Sequence, residues 1–317
     1  MCAITGFLNY GHHVPHTVLL HLVKALTVAA ECRGTDATGI SYVNNGEMVT
    51  YKKPKPAHKL KFRCPQNTTA VICHNRMTTQ GSELHNYNNH PFEGMADKPF
   101  ALAHNGVIYN DNELRKKHHL PEAKIETDSY IAVQLLEEQG SVSFESVKAM
   151  AEELLGSYTF SILDADNMLW LVKGSNPLYL VHFPDLQLYA YASTQEIMNK
   201  ALKTTHLKKF RHTLIETKEG DIIRIDCFGN AQLGQFTPKE DDWYSFRFYP
   251  TSLYDWDHKH EDDTFDNSYA ALIELCGYYG VEEDDVMYLL EMGYSLSEIE
   301  EFIMNPQLLD EVFCEGF

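Results

Sequence analysis

Five short apolar runs follow one another between residues 157 and 226: SYTFSILD (157–164), MLWLVK (168–173), LYLVHF (178–183), LYAYAS (188–193) and DIIRID (221–226). Each is rich in β-branched and aromatic residues and too short for a stable helix, so each reads as a strand. AVICH (70–74) and FALAH (100–104) add two buried strands that run into polar, loop-like segments. GISYVNNGEMVTY (39–51) predicts a hairpin turned at Asn45-Gly46. Helical spacing predicts helices at TVLLHLVKALTVAAEC (17–32), with Gly34 past its end, and at TDSYIAVQLLEEQG (127–140), with Thr127 or Asp128 near its cap. The proline-broken, basic KKPKPAHKLKFR (52–63) predicts a loop. Many short strands flanked by a few helices imply an α+β fold of packed antiparallel sheets covered by helices.

Charge divides the chain. Of its 45 acidic and 26 basic residues, 21 acidic and three basic fall in residues 237–317. A near-neutral body, 1–236, is therefore expected to carry an acidic extension, 237–317. The extension begins with the aromatic-rich WYSFRFYPTSLYDW (243–256) and continues with three short helix-like segments. An acidic surface repels phosphate backbones, which argues against nucleic-acid binding. No run reaches 18 apolar residues and the start lacks a secretory pattern, so neither a membrane nor export is expected. Seven widely spaced cysteines without a C-x-x-C pair predict free thiols in a reducing cytoplasm. Sixteen histidines show neither H-E-x-x-H nor finger spacing, and no phosphate-binding G-x-x-x-x-G-K-[ST] occurs. No metal and no cofactor are expected.

The chain opens MCAITGF. Cys2 is either a small residue opening a buried strand or, once Met1 is trimmed, an N-terminal nucleophile. In the second case its own α-amine, with an ordinary pKa only about 0.5–0.8 units below the thiol's, serves as the base. Four later segments offer what such a thiol would need: CRGTDATGI (32–40), HNRMTTQG (74–81), AHNGVIYN (103–110) and ETDSY (126–130). Each alone is an ordinary structural device. Together they fit free glutamine. Arg76 can pair with its carboxylate, Asp128 can hold its ammonium, Cys2 can attack its amide carbon, and Asn105 and Gly106 can stabilise the oxyanion.

The ordered set of M-C, R-G-x-D-x-x-G, H-x-R-x-x-T-x-G, H-N-G-x-I and E-T-D resembles a class II glutamine amidotransferase domain of the N-terminal nucleophile hydrolase type. It is similar to the glutaminase half of glucosamine-6-phosphate synthase, over about residues 2–236. The resemblance implies a four-layer αββα sandwich of two antiparallel sheets, with a small helical C-terminal extension. It also implies Cys2 as nucleophile, Asn105 and Gly106 as oxyanion donors, and Arg76, Thr79 and Asp128 as substrate-binding residues. Arg33 would support the nucleophile's surroundings. The implied reaction releases glutamate and ammonia through a thioester on Cys2, with L-glutamine as substrate and a separate synthase or ligase subunit as receiver. Three positions depart from the family pattern. Ala3 replaces a glycine and is expected to crowd Cys2, while Met77 and Gln80 replace tryptophan and histidine in the pocket lid. Two rival readings stand beside this one: an amide hydrolase of the same type acting on another acyl donor, and a non-catalytic regulatory subunit acting through its acidic tail.

Overall fold

The structure is a computed structural model that describes residues 2–239 and, beyond them, 272, 276, 281, 286, 289, 290, 294 and 296–304. Contacts divide the chain into two units, Met1–Ser245 and Phe246–Phe317. In the first unit a seven-stranded and a six-stranded sheet are each antiparallel throughout. The larger sheet contains β1 (Ala3–Asn9), β2 (Ala37–Asn44), β3 (Glu47–Lys53), β4 (Ala70–Arg76), β9 (Tyr179–Phe183), β10 (Leu188–Ala192) and β11 (Thr213–Ile215), in the order β11-β9-β10-β1-β4-β2-β3. The smaller contains β5 (Phe92–Met95), β6 (Pro99–Ile108), β7 (Gly156–Asp164), β8 (Leu169–Lys173), β12 (Asp221–Ile225) and β13 (Ala231–Gln235), in the order β13-β12-β8-β7-β6-β5.

Strand periodicity sorts the apolar side chains into three cores. On β1, Ala3 and Phe7 pack with α1 (His16–Ala29) and α5 (Gln195–Thr204), whereas Ile4 and Leu8 pack between the sheets against Leu163 and Leu171. The outer face of the smaller sheet, including Phe100, Phe160 and Trp170, is covered by α3 (Tyr130–Gln139) and α4 (Phe144–Glu153), with α2 (Asp111–Lys117) beside them. Helix, sheet, sheet, helix is the four-layer sandwich. A buried hydrogen bond crosses it, His74 Nε2–H to the His104 carbonyl at 2.8 Å. In the second unit, α6 (Leu296–Met304) and buried Leu272, Cys276, Val286 and Leu289 share a small apolar core. The expected aromatic segment 243–256 lies outside the described residues, as do parts of the other two expected helices. Among the described residues, no helix is long and apolar enough to cross a membrane.

Two boundaries differ from expectation in ways that matter. The strands at 70–74 and 100–104 do not stop before their polar residues, because antiparallel pairing continues to Ala37↔Arg76 and Ile108↔Gly156. His74, Asn75, Arg76, Asn105 and Gly106 are therefore strand residues, with backbones held by neighbouring strands. Asp128 does not cap α3, which starts at Tyr130 without a side-chain cap bond. Its carboxylate is taken by β6 instead, accepting from the Ile108 N–H at 2.6 Å.

Three histidines lie buried close together: His74, His90 and His104. Burial holds His74 and His104 down to about 3, and it pushes His90 well below its ordinary value. In the unfolded chain each takes up a proton near pH 6.5. Between about pH 6.5 and 3 the unfolded state thus binds more protons, so stability is full above this window and is lost as pH falls through it. The melting temperature measured from pH 7.5 to 4.5 is expected to fall steadily below about pH 6.5; a flat profile would contradict this account.

Candidate active site

Cys2 precedes the first residue of a strand that lies inside the larger sheet, between β10 and β4. Because β1 pairs Ala3 with Asn75, the thiol comes to lie beside the end of β4, and its Sγ donates to the Met77 carbonyl at 3.4 Å. Ala3 does not crowd it. Strand alternation sends Ala3 to the opposite face, where it is wholly buried in the core beneath α1 and α5. Burial pushes the Cys2 thiol above its ordinary value, and the positive charge of Arg76 pulls the other way. A thiol in that state keeps its proton until a base removes it.

The RGTD segment explains itself in contacts. Arg33 Nε donates to the Cys2 carbonyl at 2.9 Å and its Nη2 to Asn105 Oδ1 at 3.5 Å, joining the start of β1 to β6 of the other sheet. Gly34 lets the chain press against the end of β4, since a Cβ there would lie 2.4 Å from the Arg76 carbonyl carbon. Asp36 then accepts from the Thr78 N–H at 2.7 Å and anchors the loop that follows β4.

Asn105 is fully buried, and its position is set from two sides. Arg33 binds its side-chain oxygen, and Asn176 Nδ2 donates to its carbonyl at 3.0 Å. Its own Nδ2 makes no hydrogen bond with any described residue. A buried amide donor left unmatched costs about 1–3 kcal/mol and calls for an acceptor. Gly106 follows at φ +144°, where a Cβ would meet the Ser157 carbonyl oxygen at 1.9 Å, so only glycine fits.

The two charged anchors are both buried. Arg76 donates through Nη1 to Asn89 Oδ1 at 2.8 Å and through Nη2 to the carbonyls of Gln80 and of Gly81, the latter at 2.7 Å. Three of its five N–H groups thus hold the loop after β4, and Nε–H and one Nη1–H are not used in these contacts. Asp128 accepts from Ile108 N–H and, at 3.1 Å, from the Ser129 hydroxyl. Burial raises its carboxyl above the usual range, opposed by these hydrogen bonds and by Arg76. Gln80 ties the anchors together: its carbonyl accepts from Arg76, and its Oε1 accepts from the Asp128 N–H at 3.1 Å. Thr79, by contrast, is exposed on the same loop, and no hydrogen bond ties it to Arg76 or Asp128.

Sequence reasoning did not single out Asp36, Asn89, Ser129 or Asn176. Asp36 and Ser129 lie inside quoted motifs, so a signal was present. Asn176 lies in the GSNPLYL segment (174–180), where no local pattern indicates a contact 71 residues away.

Residues 74–200 match the family model of the glutamine amidotransferase domain. The glutamine–fructose-6-phosphate aminotransferase of Bacillus cereus is 35% identical over 187 residues, 56% of this chain and 30% of the relative. That of Staphylococcus aureus is 29% identical over 245 residues, 73% of this chain and 38% of the relative. The chain thus spans about a third of the length of these curated relatives. Among solved structures, the glutamine phosphoribosylpyrophosphate amidotransferase of B. subtilis aligns with a TM-score of 0.58 at 19% identity, over 74% of this chain and 49% of that one. That likeness speaks for the fold alone. Over residues 74–200 the chain thus matches the glutamine amidotransferase domain, and its body shares the fold of that solved amidotransferase.

The Gln80 clasp makes a direct prediction. Gln80→Ala removes the acceptor of the Asp128 N–H, so hydrogen–deuterium exchange at that amide is expected to quicken by about tenfold or more. Gln80 is exposed, so the melting temperature should stay nearly unchanged. Unaltered exchange would show that the clasp does not form in solution.

Proposed function

We propose that this domain hydrolyses the side-chain amide of L-glutamine, with Cys2 as the nucleophile. One observation carries the reading. Arg33 binds both the Cys2 carbonyl and Asn105 Oδ1, and the Asn105 amide N–H2 stays buried beside them, unmatched among the described residues. That donor is fixed in place before any substrate arrives, as an oxyanion site requires.

The chemistry follows from the groups present. Removal of Met1 frees the Cys2 amine, which takes the thiol proton as sulfur attacks the amide carbon. The C–O double bond opens to an oxyanion that accepts from Asn105 Nδ2–H and the Gly106 N–H. As the oxyanion collapses, the C–N bond breaks, and the amine returns the proton to the departing nitrogen, which leaves as ammonia. Water then adds to the thioester, again with the amine as base, and glutamate is released while sulfur regains its proton. Arg76 binds the substrate carboxylate through the donors its loop contacts leave over, and Asp128 holds the ammonium. Thr79 would line this pocket, and Arg33 fixes the nucleophile's backbone. A synthase domain or subunit would receive the ammonia. The acidic extension, from about residue 237, is read as a separate module, and a reducing cytoplasm as the setting that keeps Cys2 a thiol.

Purified protein whose Met1 has been removed, as verified by intact mass, is expected to convert glutamine to glutamate and ammonia. Cys2→Ala should abolish this. Asn105→Ala should lower kcat by about 100–1,000-fold with KM within a few-fold. Undiminished turnover in Cys2→Ala would sink the mechanism. A large KM rise with intact kcat in Asn105→Ala would remove Asn105 from the oxyanion site.

A further inference from the structure

Behind Asp128 runs a buried chain of polar groups that the proposed reaction does not use. Ser129 Oγ lies 3.1 Å from Asp128 Oδ1 and 2.7 Å from His104 Nδ1. The His104 carbonyl in turn accepts from His74 Nε2 across the two sheets. All four residues are buried.

A serine hydroxyl has one proton to give. If Asp128 grips an ammonium it is ionised, and an ionised carboxylate only accepts. The hydroxyl proton therefore points at Asp128, and the serine oxygen must receive a hydrogen from His104. That assigns the imidazole proton to Nδ1 and leaves Nε2 as a bare lone pair. Among the described residues His104 Nε2 makes no hydrogen bond, which suits a bare nitrogen, and the Ser157 carbonyl near the ring is the acceptor that the opposite tautomer would use. Burial keeps this imidazole neutral throughout the working pH range, so it directs a proton without adding charge.

We propose that Ser129 and His104 are positioning residues, a hydroxyl oriented by a neutral Nδ1-protonated imidazole that keeps Asp128 ionised to receive the substrate's ammonium. The inference rests on the reading of Asp128 as the ammonium site. The other charged or titratable groups facing that carboxyl are Arg76 from the end of β4, the Cys2 thiol before β1 and Asp111 at the start of α2. Arg76 favours the ionised form, and a negative Cys2 or Asp111 opposes it. Cys2 is replaced by alanine in every arm of the test below, and Arg76 and Asp111 stay in place, so a difference between arms in titration reports on the serine.

The experiment measures glutamine binding to Cys2→Ala protein by calorimetry from pH 8 to pH 5. Affinity is expected to fall on acidification as Asp128 takes up a proton. Adding Ser129→Ala should move that fall upward by about one pH unit, the effect of one hydrogen bond to a charged group. Binding would then be about tenfold weaker at the acidic end and within about twofold at pH 8, and Ser129→Thr should restore the original curve. An unshifted curve, or an equal loss of affinity at every pH, overturns the positioning role. Nitrogen-15 NMR of the histidines reads the tautomer without any substrate. A proton on His104 Nδ1 that is lost or redistributed in Ser129→Ala is expected, and a resting proton on Nε2 overturns the assignment. Should Cys2→Ala bind no glutamine at any pH while His104 shows the Nδ1 proton, the ammonium reading of Asp128 falls and the hydrogen-bond chain stands as structure alone.

Discussion

The pairing of β1 between β10 and β4 is the constraint on which the rest of the site depends. A chain's first strand is often free to fray, but this one is bonded along both edges, from Ala3 to Leu8 on one side and from Thr5 to Asn9 on the other. The apolar residues of β1 then fill two cores at once, Ala3 and Phe7 under the helices, Ile4 and Leu8 between the sheets. Every methylene buried on either face holds the residue before Ala3 in register. A thiol at position two is thereby carried on a rigid element, which suits a nucleophile that must meet its substrate within tenths of an ångström.

From that fixed point the site is assembled by long side chains that cross between layers. Arg33 spans from the Cys2 carbonyl to Asn105, and Arg76 holds the loop after β4 through Asn89, Gln80 and Gly81. Both guanidiniums are held partly out of water, a cost met by several hydrogen bonds each. The same loop contributes Gln80 to the backbone of Asp128, so the cationic and anionic anchors share one support. A positive and a negative group held in this way are what the proposed binding of a free amino acid requires.

Much of this was legible in the chain. Strand-length apolar runs at 157–164, 168–173, 178–183 and 188–193 became β7 to β10 to within a residue, and Asn45 and Gly46 turn the hairpin of β2 and β3 with positive φ. The helix over 17–32 emerged as α1 with a short 3-10 turn after it. Less was legible where tertiary contacts overrode local chemistry. Asn105-Gly106 looks like a turn, yet it lies inside β6 because β7 pairs through it. Asp128 looks like a helix cap, yet the Ile108 N–H claims its carboxylate from another strand. The short α4 and α5 were missed, and both depend on packing of a narrow apolar face as well as on caps at Ser143 and Thr194.

The sequence by itself determined which residues could do chemistry: the thiol at position two, the arginines at 33 and 76, the amide at 105, the carboxylate at 128 and the order in which they occur. It also determined the layers, because strand periodicity of 2 and helical periodicity of 3.6 dictate which faces are apolar. Only the tertiary structure decided what those residues face. It sent the Ala3 side chain away from Cys2, left Asn105 Nδ2 without a partner among the described residues and spent most of Arg76 on its own loop. It also placed Ser129 and His104 behind Asp128. Hydrogen bonds between groups 20 to 75 residues apart cannot be read from local patterns, because they exist only once both sheets have packed.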